Sequence, residues 1–346
     1  MVTLAKFLFL ASLTSIFLRP FISQLTFSDF DTVLTFCFLI FAFPFVIIRR
    51  NNIKLNKVDY FVVAFTLAFF TSLTTSLDLD VSIKKLYVYL SLVSLFYFAR
   101  SCNDTERKLL LKTVILSSLF VGLYGIYQYF IGIPQALLQM KSGHTLTPAR
   151  LAIIGLKRIW STFPSPNAYA GYLIMAIPLS LGMSLNTKNR FGLKQKGFLV
   201  LAMLLFINLI LTQSIAAILS IIIASGLIAI VNKNRSRNLI ICIVIAAIAL
   251  AAILYLRLLP KNTAASPIQS MQHRISYCRE AILILKQHPL MGVGLGNYPG
   301  VKSMFAHNSY LQIWIELGLL GIVSFLGIII LTIKSEIKSA ERSMNR

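Results

Sequence analysis

Apolar residues along this chain come in long blocks divided by short polar runs, and most blocks are apolar all round. Amphipathic stripes, which a large soluble helical core would need, are scarce. A membrane-spanning helix takes about 20 apolar residues. Ten blocks meet that length or approach its lower limit of about 17, near 4–18, 31–48, 58–77, 83–99, 109–131, 167–185, 197–212, 213–231, 238–258 and 308–332. The run 197–231 is about twice the length of one span, so it must turn back, at the polar break Thr212-Gln213-Ser214. The expected fold is therefore an all-α polytopic membrane protein with about ten transmembrane helices, forming one integral membrane domain over 1–346. Residues 4–18 are not followed by a small-residue cleavage site, so they are expected to remain as the first span.

Composition agrees with this reading. Of 346 residues, 57% are hydrophobic and 13% charged, about half the charge of an ordinary soluble domain, and mean hydropathy is +0.78. The net charge of +22 would suggest a nucleic-acid partner in a soluble protein. Here lysine and arginine gather in 49–57, 100–108, 186–196, 232–238 and 334–346, as loops on the cytoplasmic side of a membrane do. With ten spans and a cytoplasmic N-terminus all five fall on that side, the C-terminus with them, and no nucleic acid is expected. The four cysteines are scattered without a CxxC pair, giving neither a zinc site nor a disulfide framework. No metal or cofactor is expected.

Two long segments, 132–166 and 259–307, are left on the outer side. Loops of that length are usually functional or disordered. The second carries an amphipathic helix in IQSMQHRISYCREAILILKQHP, with Ile268, Met271, Ile275, Cys278, Ile282 and Leu285 three or four apart. It is expected along the membrane surface, ending at His288-Pro289 before a glycine-rich turn, GVGLGNYPG. That turn follows no strand and is not a nucleotide loop.

The outer segments hold cations against the topological trend: Lys141, Arg150, Lys157 and Arg158 in the first, Lys261, Arg274, Arg279, Lys286 and Lys302 in the second. A phosphate or diphosphate ligand would explain them, as would anionic lipid headgroups. Arg158 precedes Ser161, Thr162, Ser165 and Asn167 at the start of a helix, where N–H groups and the dipole suit an anion. A plain turn and helix start would use the same residues. Histidine is scarce, and three of the four (His273, His288 and His307) lie in the second segment. His307, at the outer end of the last span, has the side chain whose ordinary pKa suits a general base. Glu316 lies about 13.5 Å deeper and on the opposite face, so it cannot orient His307. Gln312 and Glu316 share a face and are expected to hydrogen-bond within the bundle as structural groups. Gly318 and Gly321 follow the histidine's stripe, where they would permit close packing against a neighbouring helix.

The block KQHPLMGVGLGNYPG…HNSYLQIWIELGLLGIVSFL resembles the C-terminal signature of the O-antigen ligase family, which also includes O-antigen polymerases and bacterial protein O-oligosaccharyltransferases. RIWSTFPSPNAYAGYLIMAIPLSL resembles an upstream stretch of the same family, and the likeness covers roughly 155–332. It implies a GT-C-like glycosyltransferase of the bacterial inner membrane. Such an enzyme moves a glycan from an undecaprenyl-diphosphate carrier to a hydroxyl of a lipid, glycan or protein acceptor at the outer face, without nucleotide or metal. The resemblance makes His307 the catalytic base, and Arg158, Arg274 and Arg279 the ligands of the diphosphate. Asn308, Asn167, Gln312 and Glu316 support them. One displacement would invert the sugar. The sequence departs from the family at LTQSIAAIL, where Ile215 stands in place of an arginine of the turn. A polymerase joining repeat units on the same carrier would share the site. A transporter or flippase would more often carry paired inverted repeats and charges near mid-membrane.

Overall fold

The computed structural model describes residues 2–22, 28–141, 153–185, 193–231, 267–299, 306 and 308–344. Among these residues the chain is all helix and turn, without strands. The elements are α1 (Val2–Ile22), α2 (Ser28–Ile48), α3 (Lys57–Leu73), α4 (Leu79–Ser101), α5 (Asp104–Tyr127), α6 (Ile133–Lys141), α7 (Pro166–Leu185), α8 (Leu193–Thr212), α9 (Ile215–Val231), α10 (Pro267–Gln287) and α11 (Ser309–Met344). Among the described residues, five segments are long and apolar enough to cross a membrane: Thr3–Phe21, Leu79–Ser101, Asp104–Leu138, Gln195–Thr212 and Ser309–Lys338. Val33–Ile48 and Ile215–Ala224 are shorter apolar helices. The expected span 238–258 lies outside the described residues.

The chain divides into two compact units. Unit 1 comprises Met1–Ser12, Thr32–Arg107 and Ile268–Arg346. Its helix starts follow local chemistry. Asn56 caps α3 by accepting from the Val58 N–H at 2.9 Å, and Asp59 accepts back from the Asn56 N–H, a reciprocal box that satisfies two otherwise orphaned donors. Asp59 is only 4% exposed and pairs with Arg100 at the far end of α4. Arg100 also donates to the Lys54 carbonyl, so the pair holds the polar loop before α3 against the end of α4. Helix α11 packs most extensively on α3. Their shared core holds Ala68, Phe69, Leu86, Leu295 and Leu317.

Unit 2 comprises Leu13–Asp31 and Lys108–Pro267. Its core is formed by α5 to α9, with Tyr169, Leu173, Leu205, Leu209 and Ile218 fully buried. Helices α8 and α9 turn back at Gln213, as the polar break predicts. Gln213 has φ 51 and donates its N–H to Ile210, and the Ser214 carbonyl receives the first N–H of α9 from Ile218.

Helix α10 ends at Gln287, before His288-Pro289, as expected. The face that packs on the protein shares Leu285 with the expected apolar stripe. Ala281 is fully buried, with Ile284 and Leu285 beside it, while Ile275 and Ile282 are exposed. Ala281 is the small position that lets the helix approach Val293, Ala306 and Ile315, and the packed face follows it.

Candidate functional site

The glycine-rich turn after α10 is a strap, residues 288–299, that enters the backbone ladder of α11. In an unbroken helix the Leu319 N–H would bond the Ile315 carbonyl. Instead Leu319 donates to Leu290 at 2.9 Å, and Ile315 accepts from Val293 at 2.8 Å. Both backbone groups are satisfied, but by the strap. The helix breaks at Gly318, whose φ 67 and ψ −163 suit glycine alone. A Cβ there would stand 2.1 Å from the Leu290 oxygen. Gly292, also at positive φ, lies so close to α11 that a Cβ would meet the Ile315 oxygen at 2.6 Å. Gly318 thus admits the strap into its own helix, not a neighbouring helix as its stripe suggests. Gly321 does not serve a neighbour either, since a Cβ there meets Leu317 across the break at 2.2 Å.

Side chains complete the strap's attachment. Asn297 Nδ2 donates to Ser82 Oγ at 2.7 Å and Ser76 Oγ at 2.9 Å, and Ser82 Oγ donates to the Leu295 carbonyl at 2.8 Å. These bonds tie the strap to the α3–α4 connection. Trp314 Nε1 donates to the Pro289 carbonyl at 2.9 Å.

Three of the predicted site residues meet at the start of α11. Asn308 is its N-cap, with Oδ1 accepting from Tyr310 and Leu311 N–H at 3.0 and 3.2 Å. Gln312 accepts from the Ala306 N–H at 2.8 Å through Oε1 and donates through Nε2 to Glu316. Glu316, 6% exposed, accepts from the Gly296 N–H at 2.8 Å with its other oxygen. The expected Gln312–Glu316 bond is present, and it continues at both ends into backbone. Ala306 and Asn308, the neighbours of His307, are both pinned; His307 itself lies outside the described residues. Arg274 and Arg279 are exposed on α10, and among the described residues neither has a hydrogen-bond or ion-pair partner.

Unit 2 places Arg158 on the α8–α9 turn. Its Nε donates to the Thr212 carbonyl at 2.8 Å, and Nη2 to Asn167 Oδ1 at 3.1 Å. The Ile159 N–H donates to Leu211 at 3.2 Å, and Gln213 Nε2 to Leu156 at 2.8 Å. The guanidinium therefore sits against the turn where Ile215 replaces the arginine of the resembled family. The expected hydroxyl cluster is dispersed. Ser161 and Thr162 are buried, Ser161 Oγ donates to the Val121 carbonyl at 2.7 Å, and Ser165 Oγ caps α7 through Ala168. Asn167 alone of that group is exposed and touches Arg158.

Among the described residues no three His, Cys, Asp or Glu side chains lie close enough together to hold a metal ion. Burial pushes the Cys102 thiol up to about 12, so it stays protonated and is no nucleophile at neutral pH.

Residues 200–326 match the family model described as O-antigen ligase. No curated protein and no solved structure matches the chain. The match includes the larger part of α8, all of α9 and α10, the strap, His307 and the Asn308–Glu316 stretch, and it excludes Arg158 and Asn167. It supports an O-antigen ligase- or polymerase-type membrane enzyme.

Proposed function

With the O-antigen ligase family supported by the match over residues 200–326, we propose that the chain moves a glycan from an undecaprenyl-diphosphate carrier to an acceptor hydroxyl at the outer face of the inner membrane. His307 takes the proton of the acceptor hydroxyl as its oxygen attacks the anomeric carbon. The bond from that carbon to the diphosphate breaks, and the leaving diphosphate carries the electron pair away. Arg158, Arg274 and Arg279 stabilise its growing charge, the kind of contribution that is usually largest in such steps. Attack from the face opposite the leaving group inverts the sugar. The donor bond is already activated, so no nucleotide enters. The termini are cytoplasmic, and 132–166 and 259–307 lie outside.

The observation that carries this reading is the family match across the segment holding His307. What supports the histidine's role is the bonding of its neighbours: Ala306 to Gln312, and Asn308 to the first turn of α11. A polymerase joining repeat units shares the site and the match, and differs only in its acceptor.

The test is transfer by the purified full chain from an undecaprenyl-diphosphate-linked glycan. His307→Gln keeps a hydrogen-bonding amide but cannot take a proton, and is expected to fall by at least a hundredfold. A rate near that of the unaltered protein would end the general-base assignment. Deleting the gene separates the two acceptors: carrier-linked polymer accumulates if a ligase is lost, and chain length falls if a polymerase is lost.

A further inference from the structure

Gln128 sits where α5 loosens into a π-turn, Gln128–Gly132, before α6 resumes. Turns of this kind occur often at functional sites, because the looser winding redirects the side chains around it. Gln128 is 7% exposed, inside an apolar stretch where a polar side chain is costly. Its Oε1 accepts two consecutive backbone N–H groups, those of Trp160 and Ser161, each at 2.8 Å. Successive N–H groups converging on one oxygen form a small concave donor pair. They require an unusual path, and Ser161 has φ 50, which a residue with a side chain adopts only when its surroundings hold it.

That path is the base of the segment presenting Arg158. Lys157 and Gln213, the other two non-glycine residues at positive φ among those described, flank the same guanidinium. Below the segment, Gln128 holds Trp160 and Ser161, and the Val121 carbonyl holds the Ser161 hydroxyl. At its side, Thr212 and Leu211 hold Arg158 and Ile159. Removing Oε1 takes a shared acceptor from the half-buried Trp160 N–H and the buried Ser161 N–H, and with it one of the bonds that hold Ser161 in its strained conformation. Arg158, two residues upstream of Trp160, would then lose its register on the α8–α9 turn.

We propose that Gln128 is the positioning residue that aims Arg158 at the diphosphate of the donor, a role that rests on the reading of Arg158 as a diphosphate ligand. Gln128 never touches the substrate. It acts through two backbone N–H groups and the strained serine between its own oxygen and Val121.

The experiment uses the purified full chain in detergent and radiolabelled undecaprenyl diphosphate as the probe, in a cycle of Gln128→Leu, Arg158→Ala and the double variant. Gln128→Leu is expected to weaken binding about tenfold with unchanged stoichiometry. In the Arg158→Ala background the same change is expected to matter less than twofold, because its effect has lost its carrier. A merely structural role gives the opposite signature: fewer binding-competent molecules, unchanged affinity in the remainder, and an equal effect in both backgrounds. That result, or unaltered affinity in Gln128→Leu, overturns the proposal. Should the leucine variant not accumulate, Gln128→Asn, whose oxygen falls one methylene short, carries the same cycle. If Arg158→Ala binds as the unaltered protein does, the diphosphate reading of Arg158 is what fails.

Discussion

Replacing Gly318 by alanine adds one methyl group at the break in α11, and the structure sets the cost. The new Cβ would lie 2.1 Å from the Leu290 oxygen and 2.7 Å from the carbonyl carbons of Leu290 and Met291. These are backbone atoms of the strap, so no side-chain rotation relieves the overlap. Strain at φ 67, ψ −163 costs about 1–3 kcal/mol by itself. Moving the strap away breaks the Leu319–Leu290 and Val293–Ile315 bonds, and each buried group left unpaired costs about 1–3 kcal/mol. Counting one such group for each of the two bonds, the sum is about 3–9 kcal/mol, a large share of the roughly 5–15 kcal/mol that holds a typical domain folded. Thermal unfolding in detergent should therefore show Tm reduced by about 5 °C or more. The control is Gly182→Ala in α7, where a Cβ meets nothing within 4 Å. There alanine's helix preference should leave stability unchanged or raise it by up to about 1 kcal/mol. If Gly318→Ala melts within a degree of the unaltered protein, the strap does not occupy the ladder of α11 in solution.

Three further outcomes follow from the same geometry. Glu316→Gln turns one of two acceptor oxygens toward a donor, against either Gly296 or Gln312. It should lower stability by about 1–3 kcal/mol while transfer per folded molecule stays within about threefold; a hundredfold loss of turnover would move Glu316 into the chemistry. Arg158→Lys keeps the charge but loses the planar fork that spans Thr212 and Asn167, so it should recover less than half of the transfer lost in Arg158→Ala. Full activity in the alanine variant would remove Arg158 from the site. Arg100→Met strands the Asp59 carboxylate, 4% exposed, and should cost about 3–5 kcal/mol in a chemical unfolding experiment. Adding Asp59→Asn should recover part of that loss, and additive losses would show that the two side chains do not act as a pair.

Local interactions were legible in the residues because their partners are close in sequence. The turn at Thr212-Gln213-Ser214 shows as a polar break in an apolar run too long for one span. The Gln312–Glu316 bond follows from their four-residue spacing. On α10 the apolar stripe is legible in the residues, but only the tertiary structure decides that the Ala281 side, with Leu285, packs on the strap while Ile275 and Ile282 stay exposed. The amphipathic pattern specifies that a face is buried, not which of two overlapping faces.

The sequence by itself determined that this is an all-helical chain with several apolar helices, because hydropathy and backbone satisfaction in lipid leave few alternatives. It also determined the O-antigen ligase resemblance through HNSYLQIWIE and its neighbours, and which cations and histidine stand against the trend. Tertiary structure alone decided that α11 is broken. The hydropathy of 309–338 is the same for a straight helix as for one whose ladder is entered by residues 290–293. It alone placed Arg158 on the α8–α9 turn, and Gln128 beneath it, 32 and 33 residues from the N–H groups it holds. Hydrogen bonds across such separations leave no period in the sequence. They exist only once packing brings the two segments together, and a buried oxygen must then satisfy whichever donors it meets.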